Sequence, residues 1–324
     1  MLLRQSQVKL LIFTILLFFI LTTLTLFYVI TNKCVPTPHC NCSESKTQKP
    51  VLVQDKVSPG HRLCIIIPFR DRFEELLEFV PYIKTFLDDQ GVEHEVWVIN
   101  QVDKFRFNRA YLINVGYLES SPECDYIAMH DVDLLPLNPA LVYRFPGAGP
   151  LHISSHELHP KYDYPTFIGG ILLMSRKHYK QVDGMSNKYW GWGLEDDEFF
   201  VRMRQANLAI ERPRGITTGR KGTFRHIHNS KDRKRDNDKC YNQRNATRRR
   251  DRQTGLSTTF YKVMSKKELT IDGAVVTFLD TQLECDRLMT PWCNCTGAPP
   301  DKNTPDKIRD EDVIVPLLPN KKHK

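Results

Sequence analysis

Leu63-Cys64-Ile65-Ile66-Ile67 is an apolar, largely β-branched run that stops at Pro68. After it, Phe73 to Leu87 places apolar side chains at helical spacing, and Glu95-Val96-Trp97-Val98-Ile99 is again short and β-branched. The order is strand, helix, strand. Working outward, a second helical stretch at Arg109–Leu118 leads into Tyr126–Met129. The resulting βαβαβ series predicts an α/β fold with a mainly parallel sheet and right-handed crossovers, the way nucleotide-binding folds begin. No internal repeat interrupts it, and beyond Gly219 the pattern turns irregular and basic. One domain is expected over 61–298, followed by a Pro-, Asp- and Lys-rich, loosely ordered tail at 299–324.

The 324 residues carry 41% hydrophobic and 26% charged side chains, which rules out global disorder and a fibrous chain. A formal charge of +8 suits an acidic partner. The compartment narrows the choice. Leu10–Ile30 is an uncharged apolar run, and at about 1.5 Å per residue a helix of that length spans roughly 30 Å of hydrocarbon. Arg4 and Lys9 precede it, so residues 1–9 read as a cytosolic tail, 10–30 as a transmembrane signal-anchor and 31–60 as a polar stem, with the body lumenal. The sequons at Asn41, Asn245 and Asn294 fit a secretory glycoprotein, and nucleic acid is not expected as a partner. Nine cysteines in such a chain point to disulfides, with Cys240 pairing to Cys285, Cys293 or Cys295.

Chemistry concentrates in a few segments. His130-Asp131-Val132-Asp133 follows an apolar strand, and in extended backbone the two aspartates share a face with Val132 turned inward. At the carboxyl end of a strand, paired hard oxygen donors suit a divalent cation that holds phosphates, and a turn with a capping Asp is the bland alternative. In Phe224-Arg225-His226-Ile227-His228, alternation places His226 and His228 on one face. With Asp133 they make a mixed nitrogen and oxygen set compatible with manganese, zinc or iron, and a solvated basic edge strand is the alternative. Tyr189-Trp190-Gly191-Trp192-Gly193-Leu194 leads into Glu195-Asp196-Asp197-Glu198, joining ring faces for a sugar to acids at a helix start. At about 100° per residue only one or two of those acids can face a single site. Lys231–Arg252 is strongly basic and reads as a solvated loop or as a lid over an anionic ligand.

Pro68-Phe69-Arg70-Asp71-Arg72, Phe107-Asn108-Arg109, Asp131-Val132-Asp133, Phe167-Ile168-Gly169-Gly170, Trp190-Gly191-Trp192-Gly193-Leu194-Glu195-Asp196-Asp197 and His226-Ile227-His228 occur in that order. Together they resemble the β-1,4-galactosyltransferase family over about His61–Val263, and most of all its xylosylprotein branch, which builds the glycosaminoglycan linker. The resemblance implies a Rossmann-like GT-A fold, Mn²⁺ as cofactor, UDP-galactose as donor, xylosylated proteoglycan core proteins as acceptors and a Golgi membrane location. It further implies metal ligation by Asp133, His226 and His228, and a UDP site at Pro68, Phe69, Arg70, Arg72, Phe107, Arg109, Asp131 and Val132. Asp196 would be the base with Glu195 beside it, and Tyr162, Tyr164, Trp192, Gly193 and Leu194 would form the acceptor pocket. Lactose-making members of the family have Gly at the position of Leu194, so the bulkier side chain is expected to narrow the pocket to xylose. A β-1,4-galactosyltransferase with another acceptor, a metal-dependent phosphohydrolase or nuclease and a non-catalytic glycan-binding membrane protein are the competing readings.

Overall fold

A computed structural model describes residues 15–25, 60–228 and 233–296. The chain divides into two compact units, Met1–Val51 and Leu52–Lys324. Of the first, residues 15–25 form a helix with exposed side chains, and the rest of the expected span and stem lie outside the described residues. Among the described residues no helix is long and apolar enough to cross a membrane.

The second unit is built on one seven-stranded sheet, whose strands in spatial order are β5 (Leu151–His152), β6 (Ile171–Ser175), β3 (Tyr126–His130), β1 (Arg62–Phe69), β2 (Glu93–Gln101), β9 (Ala274–Leu283) and β8 (Tyr261–Ile271). Its central strands are β1 (Arg62–Phe69), β2 (Glu93–Gln101), β3 (Tyr126–His130) and β9 (Ala274–Leu283). β1 is buried on both faces, which is why it reads as a continuous apolar run rather than an alternating one. Odd-numbered Leu63, Ile65 and Ile67 pack with α1 (Phe73–Asp88), through Leu76, Phe79 and Ile83. Even-numbered Cys64 and Ile66 pack on the opposite face with α2 (Arg109–Glu119), through Leu112, Ile113 and Val115. One helix thus covers each side.

The expectation of a mainly parallel sheet needs correction, because the sheet is mixed. β1 pairs in parallel with β2 and β3, and β2 with β9. Outside this centre, β6 (Ile171–Ser175) runs antiparallel to β3 and to β5 (Leu151–His152), and β8 (Tyr261–Ile271) antiparallel to β9. The β8–β9 hairpin lies in the part that reads as irregular. Its signal is Asp272-Gly273, with φ of 45° and 80°, a two-residue turn between alternating strands.

Disulfides join Cys64 to Cys124, Cys240 to Cys295 and Cys285 to Cys293. Cys240 therefore takes one of its three expected partners. Cys34, Cys40 and Cys42, like Asn41, lie outside the described residues.

Candidate active site

β3 ends at His130, and Asp131 to Asp133 form a turn rather than the extended backbone expected from the sequence. The reason is local. Asp131 N–H donates to Gly170 O at 3.0 Å, while Leu134 N–H reaches back to Asp131 O at 3.4 Å. The chain then enters β4 (Leu134–Pro136), which pairs antiparallel with β7 (Phe224–His226) in a separate two-stranded ribbon. In that register Leu134 lies opposite His226, and Ile227 N–H donates to Asp133 O at 2.9 Å. The ribbon brings two histidines from far along the chain to one carboxylate: Asp133 Oδ2 lies 3.2 Å from His228 Nδ1 and 3.7 Å from His226 Nε2. The two imidazoles stack with centroids 5.5 Å apart.

Burial works against ionisation of Asp133, but the hydrogen bond from His228 and the charge of both imidazoles hold its carboxyl below the usual range. Burial lowers His226, against the charge of Asp133, which raises it. Asp131 differs. Burial and the neighbouring Asp133 raise it, against Arg109, whose Nε donates to Asp131 Oδ1 at 2.7 Å.

All three candidate ligands line one cavity of about 1080 Å³. Pro68, Arg70, Arg72, Phe107, Arg109, Asp131 and Val132 line it too, and so do Tyr162, Tyr164, Trp192, Gly193, Leu194, Glu195 and Asp196. Phe69 is the exception: its side chain is buried in the core against Phe73 and Phe278. Arg70 is also tied to the scaffold, donating to the carbonyls of Gln101, Phe105 and Asp103.

The tryptophans divide by role. Trp190 is buried core, in edge contact with Tyr111 and Phe105, whereas Trp192 faces the cavity with the Arg235 guanidinium 4.6 Å from its ring centroid. Between them Gly191 has φ 78°, and a Cβ there would strike the Arg106 guanidinium. Leu194 then sits at φ 76° as the residue before α4 (Glu195–Gln205), an earlier α3 being Arg176–Gln181. Three of the four helix-opening acids line the cavity, more than helical spacing suggests. The fourth, Glu198, turns inward and is held by Arg202 at 2.9 Å and Arg250 at 2.5 Å. Burial and the adjacent Asp196 push the Glu195 carboxyl up to about 7, and its Oε2 has no hydrogen-bond partner among the described residues. Asp196 Oδ2 lies so near Gly169 that a Cβ built there would be 2.9 Å away, so no side chain fits behind this acid.

Two features escape the sequence. His159 lines the cavity, is 3% exposed, and accepts N–H bonds from Lys161 and Tyr162 at its Nδ1, both 3.0 Å. It thereby shapes the turn that carries Tyr162 and Tyr164, and a lone His-Pro offers no signal of that. Second, much of the basic segment is fastened over the cavity: Arg233 pairs with Glu75, Asp236 takes a bidentate grip from Arg106, and Trp192 N–H donates to Asp236 O at 2.8 Å.

Residues 40–146 match the model for the N-terminal region of glycosyl transferase group 7, and residues 149–229 match that for the N-terminal domain of galactosyltransferase. Together the two matches cover more than half of the chain. A Drosophila melanogaster relative, Beta-1,4-galactosyltransferase 7, is 56% identical over 256 residues, which are 79% of this chain and 80% of the relative. The chain belongs to the β-1,4-galactosyltransferase family. Within that family it is also similar to the Caenorhabditis elegans Xylosylprotein 4-beta-galactosyltransferase, at 51% identity over 75% of this chain and 87% of the relative. A crystal structure of a mutant Drosophila β-1,4-galactosyltransferase 7 in complex with manganese, UDP-Gal and xylobiose superposes with a TM-score of 0.72 and 58% identity, covering 73% of this chain and 100% of that one. The mixed sheet of this chain is thus a GT-A-like catalytic domain.

Proposed function

We propose that this β-1,4-galactosyltransferase moves galactose from UDP-galactose to the 4-hydroxyl of xylose on proteoglycan core proteins, with inversion at the anomeric carbon and Mn²⁺ as cofactor. The observation that carries the reading is convergence: Asp133, His226 and His228 meet in the same cavity as Glu195, Asp196 and Trp192. The names and bound ligands of the relatives support it.

One carboxylate and two imidazoles form a donor set that fits manganese. Bound there, the ion supplies Lewis-acid neutralisation of the departing diphosphate, worth several kcal/mol. The chain's own residues do the rest. Pro68, Arg70, Arg72, Phe107, Arg109, Asp131 and Val132 line the donor side. Tyr162, Tyr164, Trp192, Gly193 and Leu194 wall the acceptor side. Asp196 accepts the proton of the xylose 4-hydroxyl as its oxygen attacks the anomeric carbon from the face opposite the leaving group. Glu195, holding its proton up to about pH 7, donates a hydrogen bond to a sugar hydroxyl. One displacement inverts the centre, so no carboxylate nucleophile is required.

In the cell, Leu10–Ile30 anchors the chain as a single-pass type II protein of the Golgi membrane, with the second unit lumenal. Disulfides and the sequons Asn245, which is exposed, and Asn294 support an oxidising, glycosylating compartment.

Incubating the purified protein with UDP-galactose, a β-xyloside and Mn²⁺ should yield the β-1,4-linked galactosyl xyloside, and a chelator should abolish it. Asp196→Asn should lower kcat by about 10² to 10⁴ with UDP affinity retained by calorimetry. Full turnover in that variant removes Asp196 as the base, and hydrolysis of UDP-galactose without a xyloside product sinks the transferase.

A further inference from the structure

Several of the cations that line the cavity are already paired with acids. Arg70, Arg109 and Arg233 each have a carboxylate partner, Asp103, Asp131 and Glu75. Arg244 and Arg248 also line the cavity, and both are exposed. Neither has an acidic partner among the described residues. A UDP-sugar brings two negative phosphates, which the proposed divalent ion already offsets.

The segment that carries these two cations is tied to the cavity wall. Arg244 lies in a short helix at Gln243–Ala246, Arg248 follows in the turn just after it, and both line the cavity. Gln243 is buried beneath them: its Nε2 donates to Trp190 O at 2.7 Å, and its Oε1 accepts from Arg106 at 2.8 Å. The neighbouring Cys240 is bonded to Cys295. The arginines are therefore anchored to the very turn that carries Trp192, the wall of the acceptor side.

Resting on the transferase reading above, we infer that Arg244 and Arg248 form a ledge for the acceptor polypeptide and take acidic side chains that flank the xylosylated residue. A xylose joined to protein cannot enter the cavity without its polypeptide crossing the rim. Exposed ion pairs there contribute modestly and act chiefly through encounter and affinity, not through the chemical step.

The test compares three acceptors at low salt after endoglycosidase treatment, because Asn245 lies between the two arginines. The acceptors are a simple β-xyloside, a neutral xylosyl peptide and the same peptide with Asp or Glu on both sides. Wild type should favour the acidic peptide, and 0.5 M NaCl should erase the preference. Arg244→Gln with Arg248→Gln should raise KM for the acidic peptide about threefold to tenfold, with kcat and the KM values for UDP-galactose, the neutral peptide and the xyloside unchanged. Equal KM for acidic and neutral peptides in wild type, or a raised KM for UDP-galactose or the xyloside in the variant, overturns the ledge. Failure of wild type to galactosylate even the simple xyloside is a different result, since it removes the transferase reading itself.

Discussion

Leu194 occupies backbone space that favours glycine, at φ 76°. A left-handed conformation costs a side-chain-bearing residue roughly 1–2 kcal/mol, and glycine's extra freedom in the unfolded chain costs about 0.5–1 kcal/mol. Leu194→Gly should therefore leave stability nearly unchanged, so a new activity toward an N-acetylglucosamine acceptor would report pocket width rather than damage. Absence of that activity, measured by product formation, would separate Leu194 from acceptor choice. Glu195 gives a pH signature. The unfolded chain releases this proton near the ordinary 4.5 while the folded protein keeps it to about 7, so the unfolded state binds fewer protons in that window and stability falls as pH rises through it. Glu195→Gln should remove that fall: in metal-free buffer its stability relative to wild type should climb from pH 5 to about pH 7 and then level off, as read by urea unfolding. The paired aspartates, the His-x-His and the Trp-Gly turn were legible as chemistry because their residue types are unusual together. His159 was not, since a single buried imidazole in a loop has no pattern around it.

At the scale of elements, the candidate metal site belongs to the β4–β7 ribbon rather than to the main sheet. Sequence periodicity described each half: an apolar strand before Asp131, and alternation through His226 and His228. It missed that Asp131 to Asp133 turn, because the hydrogen bond to Gly170 that bends them comes from a distant strand end. The β8–β9 hairpin is the converse case. Its Asp272-Gly273 signal is local, but β8 is largely exposed, and Lys262, Ser265, Lys266, Lys267 and Glu268 interrupt its apolar positions, so the stretch resembles a loop. Gly273, at φ 80°, needs that freedom. Gly273→Val should destabilise the protein by about 1–2 kcal/mol in equilibrium unfolding, and an unchanged midpoint would show that the hairpin does not depend on its turn.

For the whole molecule, the two compact units meet in sequence between Val51 and Leu52, and the described residues that line the cavity belong to the second. Deleting residues 1–51 should release a soluble enzyme with the xyloside activity of the full chain, while the full chain should stay with membranes through alkaline carbonate extraction. A soluble full chain would end the anchor reading. What the amino-acid order determined by itself is local: the strand, helix, strand opening, the apolar leader, the acids at a helix start and the motifs that mark the family. Spacing and composition act over a few residues, and those features need no more. Tertiary structure decided the rest. Antiparallel strands on both sides of a parallel centre, the union of Asp133 with two imidazoles, and arginines riding on the Trp192 turn all depend on which distant segments pair. Such pairing is set by burial and hydrogen bonding across the fold, a choice that no local pattern encodes.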